Sequence, residues 1–143
     1  MAKKIVNKTE EVQKEVAAPK AVEKAVSKKI ENGRVYVNAS YNNTLVSVTD
    51  DKGNLLAWST AGSLGFSGPK KATPFAASKI IAAISEKLKK SGPVNVVVIV
   101  SGVGGGRDSA VRSLANHGFN ILSIKDVTPI PHNGPRRAKV RRV

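Results

Sequence analysis

The chain has 143 residues and no cysteine, and 24 lysines and arginines against 10 aspartates and glutamates give it a formal charge of +14. That length suits one domain with a single core. The lack of cysteine excludes disulfides, thiolate metal ligands and a cysteine nucleophile, and the charge points to a polyanionic partner, nucleic acid before a membrane surface. The opening MAKKIVNKTEE has lysines with no apolar stretch behind them, and the apolar run Val96 to Val100 is far too short to span a bilayer. A soluble cytoplasmic protein with no membrane partner is expected.

Residues 1–33 mix eight lysines with five glutamates, lack aromatic residues and repeat small units such as AVEKAVSK. Their apolar surface is too small to offset the entropy of ordering, so they are expected to form a mobile N-terminal extension. Residues 34–127 are the globular part. RVYVNAS and TLVSVTD alternate with period two across a turn at Tyr41, Asn42 and Asn43, and DDKGN turns the chain into LLAWST. Three antiparallel strands result. The glycine-rich loop AGSLGFSGPKK follows, and its Lys70 and Lys71 are expected to bind phosphate, while Phe66 is expected to pack on a base or a neighbouring protein, with core burial as the alternative.

A helix then starts with Thr73 as N-cap and Pro74 at the first position, and stops at Gly92–Pro93. Ala77, Ile80, Ile81, Ile84 and Leu88 form its apolar stripe. VNVVVIV shows no alternation, which predicts a strand covered on both faces by helices. A second helix at about 108–117 is expected to bury Val111, Leu114 and Ala115 and to end at Gly118, and NILSIKDV supplies the last strand. The order βββαβαβ predicts an α/β fold with a mixed sheet flanked by helices. Residues 128–143 hold three prolines, and the last eleven carry five positive charges and no acid. They read as an extended basic tail whose Arg136, Arg137, Lys139, Arg141 and Arg142 thread along RNA phosphates.

The strand, glycine loop and helix in VIVSGVGGGRDSAVRSL raise the question of a phosphate site. A dinucleotide fingerprint starting at Gly102 needs glycine at 107, where Arg107 stands, and no G-K-[ST] follows as a nucleoside triphosphate loop requires. Asp108 falls where an N-cap belongs and would repel a phosphate. Two readings remain, and the second, with an RNA or DNA backbone as the other molecule, explains Arg107 better. The glycines make a tight turn with Asp108 and Arg112 as an ordinary i, i+4 pair, or they let the backbone of another molecule approach beside Arg107. A nuclease is the enzymatic alternative, but two-metal hydrolysis needs converging carboxylates. The first strand offers only Asn38, and His117 and His132 are isolated, so no catalytic residue, metal site or cofactor is expected. Non-specific nucleic-acid binding is the remaining alternative.

SGVGGGRDSAVRSLANHGFNILSIKDVTPIPHNG, together with VNASYNNTLVSVTD and GFSGPKKATPFAA, resembles the universal small-subunit ribosomal protein S-eleven family over residues 34–143. The sequence departs from the family pattern at Val103, Asp108, GPKKATP and Pro135 to Ala138, while the tail keeps its basic character. The resemblance implies a ribonuclease-H-like fold and a non-enzymatic place on the platform of the small subunit. It implies contact with the central domain of 16S rRNA, with mRNA near the exit path, and with ribosomal proteins seven, eighteen and twenty-one. A homo-oligomer is not expected. Asn42, Asn43, Phe66, Lys70, Lys71, Arg107, Arg112, His132, Asn133 and the tail cations are the expected rRNA contacts. The HNG motif further implies isoaspartate formation at Asn133, in contrast to Asn32, which is expected to age slowly in a mobile tail.

Overall fold

The computed structural model describes residues 30–89, 91–136 and 138–139, and its elements follow the expected order βββαβαβ. The strands are β1 (Asn32–Ala39), β2 (Thr44–Asp50), β3 (Leu55–Thr60), β4 (Asn95–Ser101) and β5 (Asn120–Asp126). The helices are α1 (Pro74–Leu88) and α2 (Arg107–Asn116), and two short 3-10 helices, Gly62–Leu64 and Gly68–Ala72, interrupt the loop before α1. The sheet order is β3-β2-β1-β4-β5. Antiparallel pairs join β1 to β2 and β2 to β3, and parallel pairs join β1 to β4 and β4 to β5. The expectations for Arg137, Arg141 and Arg142 and for residues 1–29 of the extension lie outside the described residues.

Local chemistry explains the elements. Ser40 N donates to Asn43 O (2.9 Å) and Asn43 N to Ser40 Oγ (3.0 Å), which closes the β1–β2 turn. Asp50 accepts from Asn54 N and Asn54 Nδ2, both at 2.8 Å, while Gly53 takes the left-handed φ of 90° that the next turn needs. Thr73 Oγ1 accepts from Ala76 N at 3.2 Å and so caps α1 as its sequence predicts. All five members of the apolar stripe on α1 are buried.

The core lies on one face of the sheet. Val35 pairs with Val48 and Val98, and Val37 with Val46 and Val100, and all six are buried. Both helices pack on that face and on each other, with Ser113 Oγ donating to Ser78 Oγ at 3.0 Å between them. The expectation that β4 is covered on both faces is therefore corrected. Its burial alternates: Val96, Val98 and Val100 are buried, while Val97 and Ile99 are half-buried on the face without helices. Valine and isoleucine on both sides hide a normal period-two strand.

Two further corrections concern boundaries. β1 takes in Asn32 and Gly33, which composition assigns to the extension. A side chain at Gly33 would meet Thr49 O at 2.7 Å and Pro93 at 2.8 Å, so this end of β1 is seated firmly. In α2, which starts one residue earlier than expected, the buried residues are Ala110, Ser113 and Leu114, which face the core and α1, while Val111 is half-buried and Ala115 exposed. The one-sided core is testable. Val98→Thr should cost about 1–3 kcal/mol by burying an unpaired hydroxyl. Val97→Thr should cost less than about 0.5 kcal/mol, the scale of surface changes. Denaturant unfolding of both variants makes the comparison, and equal losses would contradict the one-sided arrangement.

Candidate nucleic-acid interface

Topology collects the expected contact residues at one end of the sheet. The parallel strands β1, β4 and β5 finish there, and β3, antiparallel to β2, finishes there too. The β1–β2 turn, the loop 61–73, the glycine loop 102–106 and the start of the tail therefore lie side by side, together with the N-termini of α1 and α2. Hydrogen bonds join these segments: Gly104 N to Ala39 O (2.8 Å), Ala61 N to Thr44 O (3.1 Å) and Gly102 N to Thr128 Oγ1 (3.1 Å). Loops beyond the carboxyl ends of parallel strands are the usual binding region of such sheets.

The glycine loop serves the chain's own packing. A Cβ on Gly102 would lie 2.2 Å from Ala39 O, one on Gly104 2.2 Å from Ser40 O, and one on Gly106 2.7 Å from Thr44 Oγ1. Gly102 also has φ of 94°. Only Gly105 is roomy, with Ala72 O at 3.8 Å. The end of β1 and the turn after it take up the space at Gly102, Gly104 and Gly106, so these glycines make a tight turn, while Gly105 stays open.

Arg107 is likewise engaged within the chain. Its Nη2 donates to Asp126 Oδ2 and its Nη1 to Gly102 O at 3.1 Å, and Arg107–Asp126 is the only ion pair among the described residues. Asp126 also accepts from Thr128 Oγ1 (2.6 Å) and Thr128 N (2.9 Å). The Thr128 hydroxyl, the Thr128 amide and then Arg107 hold the Asp126 carboxyl down to about 2. This cluster ties the end of β5 and the first tail residues to the glycine loop. Arg107 thus makes a structural contact while its side chain stays 32% exposed.

Lys70 is exposed and Lys71 half-buried in the 3-10 helix Gly68–Ala72, and Arg112 is exposed on α2. Asp108 is the second residue of α2 and not its cap, which is Gly106, and the expected pair with Arg112 does not form. Asn42 is exposed, and Asn43 holds a buried Oδ1 with no partner. His132, Asn133, Arg136 and Lys139 are exposed, and Asn133 has φ of 54°, the one positive value outside glycine among the described residues. His117 sits at the C-terminal end of α2, its Nδ1 2.7 Å from Ser113 O.

Phe66 departs from the stacking expectation. It packs against the core, because Phe66 N donates to Ala61 O (3.1 Å) and folds the loop inward. The exposed ring is Phe75, 61% accessible, edge-on to Phe66 at 6.1 Å and with Lys79 Nζ 5.5 Å from its centroid. Sequence reasoning missed Phe75. The Thr73–Pro74 start fixes it at the second helical position, about 200° around the axis from Ala77, and so off the buried stripe.

These features describe a basic α/β domain that presents cations and polar side chains on loops at one sheet end. A family model described as "Ribosomal protein S11" matches residues 33–142. The chain is 52% identical over 124 residues to the "Small ribosomal subunit protein uS11" of a Nitratiruptor species, covering 86% of this chain and 95% of that protein. It is 48% identical over 122 residues to the protein of the same name from Buchnera aphidicola subsp. Baizongia pistaciae, covering 85% of this chain and 95% of that protein. The chain belongs to the ribosomal protein S11 family.

Two predictions come from this end of the molecule. Gly104→Ala should destabilise the domain by about 1–3 kcal/mol through a backbone clash, while Gly105→Ala should stay within about 0.5 kcal/mol; thermal melts of the two variants distinguish them. Asp126 should add pH dependence in acid. Its folded value lies below the ordinary 3.8, so its stabilisation is complete above pH 3.8 and fades as pH falls toward about 2. Asp126→Asn should remove that slope from the acid-unfolding curve, and an unchanged slope would refute the assignment.

Proposed function

We propose that the protein is a structural constituent of the small ribosomal subunit in the cytoplasm, where its loop end and basic tail bind rRNA. The role is non-catalytic. The observation that carries this reading is the gathering of Lys70, Lys71, Arg112 and the start of the basic tail at one sheet end, in a chain of the ribosomal protein S11 family. Among the described residues, Lys70, Lys71, Arg112, Arg136 and Lys139 pair with no carboxylate, so each can replace a counterion on a phosphate. The positive ends of α1 and α2 point the same way and add to the attraction.

At finer detail, the target is the central domain of 16S rRNA on the platform, near the mRNA exit path, beside ribosomal proteins seven, eighteen and twenty-one. The βββαβαβ order agrees with the ribonuclease-H-like fold that the family resemblance implies. Asn42 and Asn43 would contact RNA from the β1–β2 turn, and His132, Arg136, Arg137, Lys139, Arg141 and Arg142 from the tail. Asn133 is the candidate isoaspartate position. Its left-handed backbone and exposure set it apart from Asn32, which is held in β1 and accepts a hydrogen bond from Asn95 Nδ2 at 3.3 Å.

Binding of the full chain to a central-domain rRNA fragment across a salt series tests the reading. Deleting 135–143 should lower the log–log salt slope by about 0.7–0.9 for each phosphate no longer neutralised. Lys70→Gln with Lys71→Gln should lower it further, by the equivalent of one or two phosphates. A slope that neither change moves would refute phosphate binding by these residues.

A further inference from the structure

The sheet face turned away from α1 and α2 carries an ordered set of side chains. The register aligns Trp58 of β3, Ser47 of β2, Tyr36 of β1, Ile99 of β4 and Lys125 of β5 in one row. Arg34 lies in the next row, beside Val97. Trp58 is 54% exposed, Tyr36 is half-buried, and Arg34 and Lys125 are exposed. The two strand aspartates lie on the opposite face: Asp50 pairs with Gly33 and Asp126 with Val100, in line with the buried valines. This face therefore carries two cations and no strand carboxylate.

The spacing suits a base. Trp58 and Tyr36 stand two strands apart, about 10 Å, with only a serine between them. Planar bases stack on exposed aromatic rings whatever their identity, and Arg34 and Lys125 flank the rings where a strand's phosphates would run. A sheet with aromatic rings on its open face is a recurrent way of holding unpaired RNA.

We propose that the helix-free face is a second RNA contact, a stacking platform for unpaired bases in which Trp58 and Tyr36 receive bases and Arg34 and Lys125 meet phosphates. It is separate from the loop end and rests on the reading of the chain as an rRNA-binding protein. Charge favours RNA over a protein partner here, since positive side chains without a counter-acid suit a polyanion.

Trp58 is the only tryptophan of the chain, so its emission reports on this face alone. The full chain is titrated with oligouridylate and with a mixed-sequence single strand. Saturable quenching of Trp58 and loss of its access to acrylamide are expected. By anisotropy of labelled RNA, Trp58→Ala and Tyr36→Ala should each weaken binding about ten-fold with the salt slope unchanged, because a ring releases no counterion. Trp58→Phe should retain most of the affinity. Arg34→Gln and Lys125→Gln should lower the slope. Circular dichroism checks that the variants fold. RNA binding that depends on the tail but leaves Trp58 emission and access unchanged overturns the platform and leaves the rRNA-binding reading standing. No RNA binding at all overturns both. Shielding of Trp58 by self-association or by a purified protein, with RNA having no effect, overturns the platform in favour of a protein contact.

Discussion

The approach of Gly102, Gly104 and Gly106 to Ala39, Ser40 and Thr44 organises the loop end of the molecule. A side chain at any of the three would strike atoms that belong to the sheet itself or to its first turn. The chain leaving β4 can thus lie flat across the end of β1 and start α2 at once, with Gly104 N bonded to Ala39 O at 2.8 Å. That placement fixes the distance from the start of α2 to the end of β5. It lets Arg107 span from Gly102 O to Asp126, and through Thr128 it sets where the tail leaves the domain. The cations that remain for a partner are those not used in this way.

Arg107 shows how topology gives a cation a role within the chain that its charge does not reveal. Beside three consecutive glycines it looks like a phosphate ligand, yet parallel pairing of β4 and β5 brings Asp126 within its reach. A guanidinium held by a carboxylate and a carbonyl has two of its five donors committed within the chain, and that geometry serves the tail's exit. Lys70 and Arg112 have no such partner among the described residues. The difference is one of topology, which no local pattern contains.

Features set by neighbours in the chain were legible in the sequence. Thr73 and Pro74 start α1, its stripe is buried residue for residue, and the three-stranded meander with its turns stands where alternation and Asp-Lys-Gly-Asn put it. Features set by partners across the fold were not. VNVVVIV reads as doubly covered because β-branched residues suit both a core and an open sheet face. Phe66 and Phe75 differ in burial because the loop before α1 folds inward at Ala61 while Phe75 lies off the buried stripe of α1. Asp108 looks like a cap, but α2 starts at Arg107 and Gly106, packed close against Thr44, takes that place. Of the candidate contact residues, the exposed or half-buried loop positions of Lys70, Lys71, Asn42 and Asn43 could be read from the sequence, whereas the pairing of Arg107 with Asp126 could not.

The one-sided core is itself a consequence of chain length and element count. Two helices can cover one face of a five-stranded sheet, and no third α-helix among the described residues reaches the other. A face left to water is usually made polar, and here it is only partly so. Asn32, Asn95 and Asn120 form a ladder of amide hydrogen bonds at one end of it, while Trp58, Tyr36, Val97 and Ile99 occupy the middle. Isolated apolar side chains on a surface need no special cause. An aromatic and aliphatic row crossing the sheet and flanked by cations is different, since leaving it bare forgoes burial that a partner would supply. The polar ladder limits what can cover the far end, so a partner on this face meets rings at the middle and amides at the rim. That gradient fits a nucleic-acid strand, whose bases need rings and whose sugars and phosphates need donors, better than it fits a second sheet or an apolar helix.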